Sequence, residues 1–285
     1  MHGAISVISA TRFWSLLSAC LCAATFYSPT SAFAQTYELK NTSGWFLGGE
    51  ALVGAGLAVG GRLAVGEPDD NCGWCESNSF DRGIRGVLVV ESASKEIGYI
   101  SHGVSLGIVP IIGLWGVIAP ALEEDRSDHA IENVAMVLNA FLVTTAIAEV
   151  AKGAFDRQRP GVYYDRADQT EAGDFPSERN RSFFSADTAW AFSLAASAST
   201  IAHLRNYEHA TLVTIGAGSA AVVAGVMRTM ADMHWPTDVL AGAAVGTAVG
   251  IGMPLLLHGR ADDGEGDVSV VPNNSGATVQ WIFLF

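Results

Sequence analysis

The chain has 285 residues, enough for one large domain or two small ones. Only 16% are charged against 49% apolar, and mean hydropathy is +0.29, whereas an average soluble domain carries roughly 25% charged residues. That composition points to a membrane protein or a very apolar helical bundle, and the net charge of −13 excludes a nucleic-acid partner, which needs a basic surface.

Residues 1–34 read as a secretory signal peptide. Arg12 precedes the apolar stretch "FWSLLSACLCAATF", and Ala32-x-Ala34 supplies a cleavage site before Gln35. "LSAC", ending at Cys20, competes as a lipoprotein-type site, but its apolar run is shorter. Either cleavage gives an exported chain, a pattern that suits a bacterial cell envelope.

Residues 35–94 form an N-terminal segment with one apolar, Gly-rich helix (44–65) and the loop "NCGWCE". Cleavage after Ala34 leaves Cys72 and Cys75 alone. In an oxidising compartment they are expected to pair locally. No βαβ context supports a redox CxxC there.

Apolar runs follow at 96–122 (charge-free after Glu96), 133–148, 188–204, 206–230 (with the uncharged centre "TLVTIGAGSAAVVAGVM") and 239–257. With 44–65 they predict an all-α bundle of about six helices, with Pro110 kinking the second. Several runs approach the ~20 apolar residues of a membrane-spanning helix, and their small residues allow close packing. A membrane-embedded bundle is therefore expected, centred on a helical domain at 95–257. The shorter runs keep open the alternative of buried helices in an exported globular protein. Residues 258–285 read as a polar tail whose end, "ATVQWIFLF", fits either a strand or an apolar anchor.

Three stretches carry the candidate chemistry. Six of the sixteen Lys+Arg fall between 152 and 181, a candidate anion site in an acidic chain. "AKGAFDRQRP" closes the third long helix, with Lys152 and Arg159 two helical turns apart and Pro160 stopping the helix. "RSFFSADTAW" opens the next helix with Ser185 as N-cap and Asp187 in the first turn, where backbone N–H groups favour an anion. Read locally, Asp187 is a dipole-matched capping residue. In "GVMRTMADMHWPTDVLAG", Arg228 ends the fifth helix and His234 sits in the turn. Asp238, in the opening turn of the sixth helix, is expected to accept a hydrogen bond from one ring nitrogen of His234, freeing the other as a nucleophile. The alternative makes His234 an ordinary loop histidine. Alternating helix directions bring all three stretches to one end of the bundle, a set suited to a tetrahedral oxyanion.

"KGAFDRQRP" and "RTMADMHWPTD" resemble the K-x6-RP and R-x5-H-x3-D signatures of the type 2 phosphatidic acid phosphatase superfamily, which includes bacterial nonspecific acid phosphatases and vanadium haloperoxidases. The resemblance covers residues 95–257. It implies that Lys152, Arg159 and Arg228 hold phosphate oxygens, that Ser185 and the amide of Ala186 add hydrogen bonds, and that His234, oriented by Asp238, forms a phosphohistidine. The middle signature, P-S-G-H, is degenerate here: Phe184-Ser185-Ala186-Asp187 puts Asp187 where the family's leaving-group acid stands, and Met227 replaces a serine. Asp187 is thus expected either to act as the acid in protonated form or to mark a member that binds phosphorylated lipid with little turnover. A haloperoxidase is a further alternative, disfavoured by the missing histidine. The implied activity is hydrolysis of a phosphomonoester or pyrophosphate, of a lipid or small molecule, at a periplasm-facing membrane site. It calls for no metal, no cofactor and no nucleic acid.

Overall fold

The computed structural model describes residues 72–257, strands at 269–273 and 276–280, and six helical positions between 49 and 60. The expected signal peptide with its alternative cleavage site, most of the 44–65 run and residues 281–285 lie outside the described residues.

The main helices are α1 (Ser79–Leu88), α2 (Ser94–Gly103), α3 (Val109–Glu123), α4 (Ser127–Phe155), α5 (Ala186–Leu204), α6 (Ala210–Met230) and α7 (Pro236–Leu257). α1 lies where the sequence has no apolar run. It starts because the Asn78 side chain accepts from the Asp81 amide at 2.8 Å. α2 runs into α3 through a π turn over Val104–Ile108, just ahead of Pro110. Proline has no N–H with which to continue the regular ladder.

Among the described residues, four runs are long and apolar enough to cross a membrane: Glu91–Glu123, Ser127–Phe155, Ala210–Met230 and Pro236–Leu256. Large side chains such as Ile111, Ile131, Leu212 and Leu240 stand on their outer faces, as a lipid-facing surface requires. The architecture is an all-α membrane bundle.

α5 is its centre and packs against α3, α4, α6 and α7. The contact with α7 is made backbone to backbone. A Cβ added at Gly242, Gly246 or Gly250 would fall 2.5, 2.2 or 2.5 Å from the carbonyl oxygens of Ser185, Ala189 and Ser193. Glycine every fourth residue on one face and small residues on the other let the two axes close in. This clamps the first turn of α5 against the first turn of α7, where Ser185 N donates to the Asp238 carbonyl at 3.1 Å.

Two further features bear on the site. Cys72 and Cys75 are disulfide-bonded, and the loop between them docks on the end of α4, with Gly73 and Trp74 amides donating to the Asp156 carbonyl. At the other terminus β1 (Ser269–Asn273) and β2 (Gly276–Gln280) pair antiparallel. Of the two readings open for this end, residues 276–280 take the strand.

Candidate active site

The three stretches meet at one end of the bundle. The end of α4 brings Lys152, the start of α5 brings Ser185, Ala186 and Asp187, and the α6–α7 turn brings Arg228, His234 and Asp238, all buried. Arg159 arrives differently from expectation. α4 does not run on to Pro160: it stops at Phe155, and Asp156 adopts a left-handed conformation with φ 42°. Asp156 there accepts from Gly73 with its carboxylate and from Trp74 with its carbonyl, so the docked disulfide loop stabilises the break. Arg159 is in extended backbone, and Pro160 begins a separate one-turn helix, Pro160–Tyr163.

His234 is almost wholly enclosed. Its Nδ1 lies 2.8 Å from the Ser182 carbonyl, and its Nε2 lies 3.0 Å from Arg159 Nη1. A carbonyl only accepts and a guanidinium only donates, so the hydrogen sits on Nδ1 and the lone pair on Nε2. Burial, then the charges of Arg159, Arg228 and Lys152, hold the imidazole well below its ordinary pKa. This is a neutral nitrogen nucleophile facing cations.

Asp238 does not orient His234 directly. Its Oδ2 is 3.9 Å from Nδ1, beyond hydrogen-bond range. Oδ2 instead accepts from Ser182 Oγ at 2.6 Å and from the Trp235 amide at 2.9 Å. Asp238 thus holds the residue whose carbonyl holds the imidazole. The reason it is drawn away is Arg157, a fully buried guanidinium that pairs with both Asp238 and Asp81. Arg157 also stacks over Trp74 of the disulfide loop at 4.0 Å. Asp81 in turn accepts from Thr237, tying α1 to the start of α7.

Two groups of opposite charges line the site. In the first, Glu178 lies over Lys152 and Arg159, with Oε2 3.8 Å from Lys152 Nζ and 3.1 Å from Arg159 Nη2. Its Oε1 is 3.5 Å from Arg181 Nε. In the second, Arg228 reaches Asp187 Oδ2 and Glu171 Oε2, each at 3.3 Å. His102, from α2, closes a ring with the same two carboxylates: Nδ1 is 2.5 Å from Asp187 Oδ1 and Nε2 is 3.2 Å from Glu171 Oε2. Gly98 makes room for Glu171, since a Cβ there would lie 2.2 Å from its Oε1.

This ring alters the reading of Asp187. Burial alone would raise its pKa, but Arg228, the contact with His102 and Lys152 outweigh it and hold the carboxyl well below the ordinary range. Asp187 is therefore a carboxylate between two cations, and the acid role expected of it in protonated form does not fit. Glu171 is likewise pushed up by burial, but the hydrogen bond from His102 and the charge of Arg228 win, leaving it below its ordinary value.

Ser185 caps α5, as expected, accepting from the Thr188 amide and sharing a 2.9 Å hydrogen bond with the Thr188 hydroxyl. Ala186 opens the helix beside it.

The sequence does not mark His102, Glu171, Glu178 and Ser182 as neighbours of the site, and it counts Arg157 only as one of the basic cluster. One of them carried a signal: His102 is a titratable residue inside the apolar run 97–122, a placement that is costly in a membrane and marks function. Glu171 and Glu178 lie in a loop region with no periodicity. Nothing in the spacing of 152–159 separates an arginine that pairs inward, Arg157, from one that faces the site, Arg159.

The family model described as the PAP2 superfamily matches residues 133–262, which include every expected site residue. No curated protein and no solved structure matches the chain. Over this segment the chain is similar to the PAP2 superfamily, the type 2 phosphatidic acid phosphatase superfamily whose motifs it resembles.

Proposed function

We propose that this chain hydrolyses a phosphomonoester or pyrophosphate carried on a lipid, through a phosphohistidine formed on His234. Similarity to the PAP2 superfamily supports phosphatase-type activity in general. The observation that carries the finer reading is the Nε2 lone pair of a neutral, buried His234 within hydrogen-bond distance of Arg159.

In this reading Lys152, Arg159 and Arg228 take the phosphate oxygens, and Ser185 and the Ala186 amide complete the cradle. Arg159 exchanges His234 and Glu178 for the phosphoryl group, and Nε2 attacks phosphorus as the P–O bond to the leaving group breaks. Nδ1–H stays on the Ser182 carbonyl and stabilises the positive charge the ring acquires. Water then cleaves the N–P bond, releasing inorganic phosphate and restoring His234. The basic groups supply the electrostatic stabilisation that dominates phosphoryl transfer.

A lipid substrate is supported by the position of the site at the end of a bundle whose outer faces are apolar, where a phosphate headgroup meets the interface. The Cys72–Cys75 disulfide fits an oxidising compartment, in line with an exported chain whose site faces the periplasm.

A second reading has an observation of its own. All three cradle cations are already paired with internal carboxylates, and Asp187 stands where the family keeps a histidine. A chain that binds phosphorylated lipid without turning it over would look the same. Purified protein in detergent, assayed with a generic phosphomonoester and with a lipid phosphate beside His234→Ala, decides between them. Phosphate release that disappears in His234→Ala supports the hydrolase. Lipid-phosphate binding with no release in the native chain overturns it in favour of the binding protein.

A further inference from the structure

We propose that His102 is the residue that protonates the leaving group, held in place by Asp187 and Glu171. This rests on the hydrolase reading above. It starts from a chemical requirement: an alkoxide leaving from phosphorus in a site this enclosed must receive a proton as the P–O bond breaks.

The groups at the site can be taken in turn. Arg157, Arg159 and Arg228 are guanidiniums, which do not give up protons in proteins. Lys152 lies under Glu178 at the base of the cradle, where it meets phosphate oxygens as a charge. Asp187 and Glu171 are each paired with Arg228 and His102 and have no proton to give. Asp238 is shut into its contacts with Arg157, Ser182 and Trp235. His234 is consumed by the bond to phosphorus. His102 remains.

Three features equip it for the task. Both ring nitrogens face carboxylate oxygens, which only accept, so each nitrogen carries a hydrogen. The side chain keeps 40% of its surface open where Asp187 and Glu171 keep 6% and 4%, so it is the member of the ring that an incoming group can reach. And the same two carboxylates grip Arg228, one of the three cations of the cradle, which puts His102 one carboxylate away from the phosphoryl group. The contact to Asp187 is the short one at 2.5 Å and the contact to Glu171 the long one at 3.2 Å. The Asp187 contact is an ion pair that positions the ring, while Nε2–H, hydrogen-bonded to Glu171 at the longer distance, is the hydrogen that moves.

The step balances. As His234 Nε2 bonds to phosphorus and the P–O bond breaks, the Nε2 proton of His102 passes to the departing oxygen, giving a neutral alcohol and a neutral imidazole. In the second half, the hydrolytic water gives its proton to that imidazole as its oxygen attacks the phosphohistidine. Phosphate leaves and His102 is again doubly protonated. The role expected of residue 187 is thereby divided: Asp187 anchors, His102 donates.

The test uses leaving groups that differ in their need for a proton. Full-length protein in detergent is assayed with an alkyl phosphomonoester and with an activated aryl phosphomonoester, in the native chain, in His102→Ala and in the exchange variant His102→Ala/Asp187→His. The expected result is a loss of about 10²–10⁴-fold in kcat for His102→Ala with the alkyl ester, a much smaller loss with the aryl ester, and partial recovery with the alkyl ester in the exchange variant. Added imidazole, entering the space left by the half-open ring, should also restore part of the alkyl activity. Equal losses on both esters with no rescue, while His234→Ala still abolishes turnover, overturn the role of His102 and leave the hydrolase reading standing. No His234-dependent turnover of either ester in the native chain overturns both.

Discussion

His234 Nδ1 is 2.8 Å from the Ser182 carbonyl and 3.9 Å from Asp238 Oδ2, so a backbone oxygen sets the tautomer of the candidate nucleophile and Asp238 acts one residue removed. Asp238 and Asp81 instead share Arg157, which is fully buried. Asp238→Asn should therefore act first on stability. Breaking one side of a buried ion pair costs about 3–5 kcal/mol, visible as a large drop in the denaturation midpoint, with activity falling because Ser182 and the turn lose their anchor. A kcat loss with an unaltered midpoint would instead mean that Asp238 serves His234 directly.

Glu178 places a carboxylate against Lys152, Arg159 and Arg181, where it competes with an anion for the same cations. Glu178→Gln should tighten competitive inhibition by inorganic phosphate about tenfold, equivalent to roughly 1.4 kcal/mol. An inhibition constant that does not move would show that Glu178 withdraws without cost when phosphate binds.

His234 should not titrate near its ordinary value of 6.5 in the folded, phosphate-free protein. Burial and the neighbouring Arg159, Arg228 and Lys152 depress its pKa. The neutral nucleophile thus persists into acid. The sign for stability follows: the unfolded chain takes up a proton below about pH 6.5 that the folded chain refuses, so this contribution is present above that pH and is lost as the pH falls. Histidine-labelled NMR spectra of the native chain and His234→Gln, compared through this range, check it; a His234 signal titrating near 6.5 would refute the arrangement.

Gly246 and Gly252 sit on the same helix with opposite surroundings. A Cβ at Gly246 meets the Ala189 carbonyl at 2.2 Å, whereas nothing lies within 4 Å of one at Gly252. Gly246→Ala should force α7 off α5, costing about 1–3 kcal/mol and displacing Ser185 and Asp238 together, with a loss of activity. Gly252→Ala should be neutral or stabilising by up to about 1 kcal/mol. Thermal melts of both variants make the comparison, and equal melting temperatures would count against the close contact.

The helical bundle, and the meeting of the three stretches at one end of it, are legible in the sequence. Charge-free runs of the right length are sufficient for helices in an apolar setting, because backbone groups there have no other way to be satisfied. Alternation of direction along successive helices is enough to bring Lys152, Ser185, Arg228 and His234 to one end. Local rules also placed Ser185 as the cap of α5. They failed at Arg159, because the break at Asp156 depends on a loop more than eighty residues earlier in the chain.

By itself the sequence determined the helices, the end at which they converge, and the residue types that make an anion cradle, because hydrophobic periodicity, capping and motif spacing are local. Only the tertiary structure decided which charges pair. Asp238 went to Arg157 rather than to His234, Glu178 came to rest on Lys152 and Arg159, and His102 met Asp187 from a helix more than eighty residues away. Coulombic attraction depends on distance in space and on burial, and is blind to position along the chain. That is why Asp187, which read locally as a cap and by resemblance as an acid, emerges as the anchor of a histidine that neither reading contained.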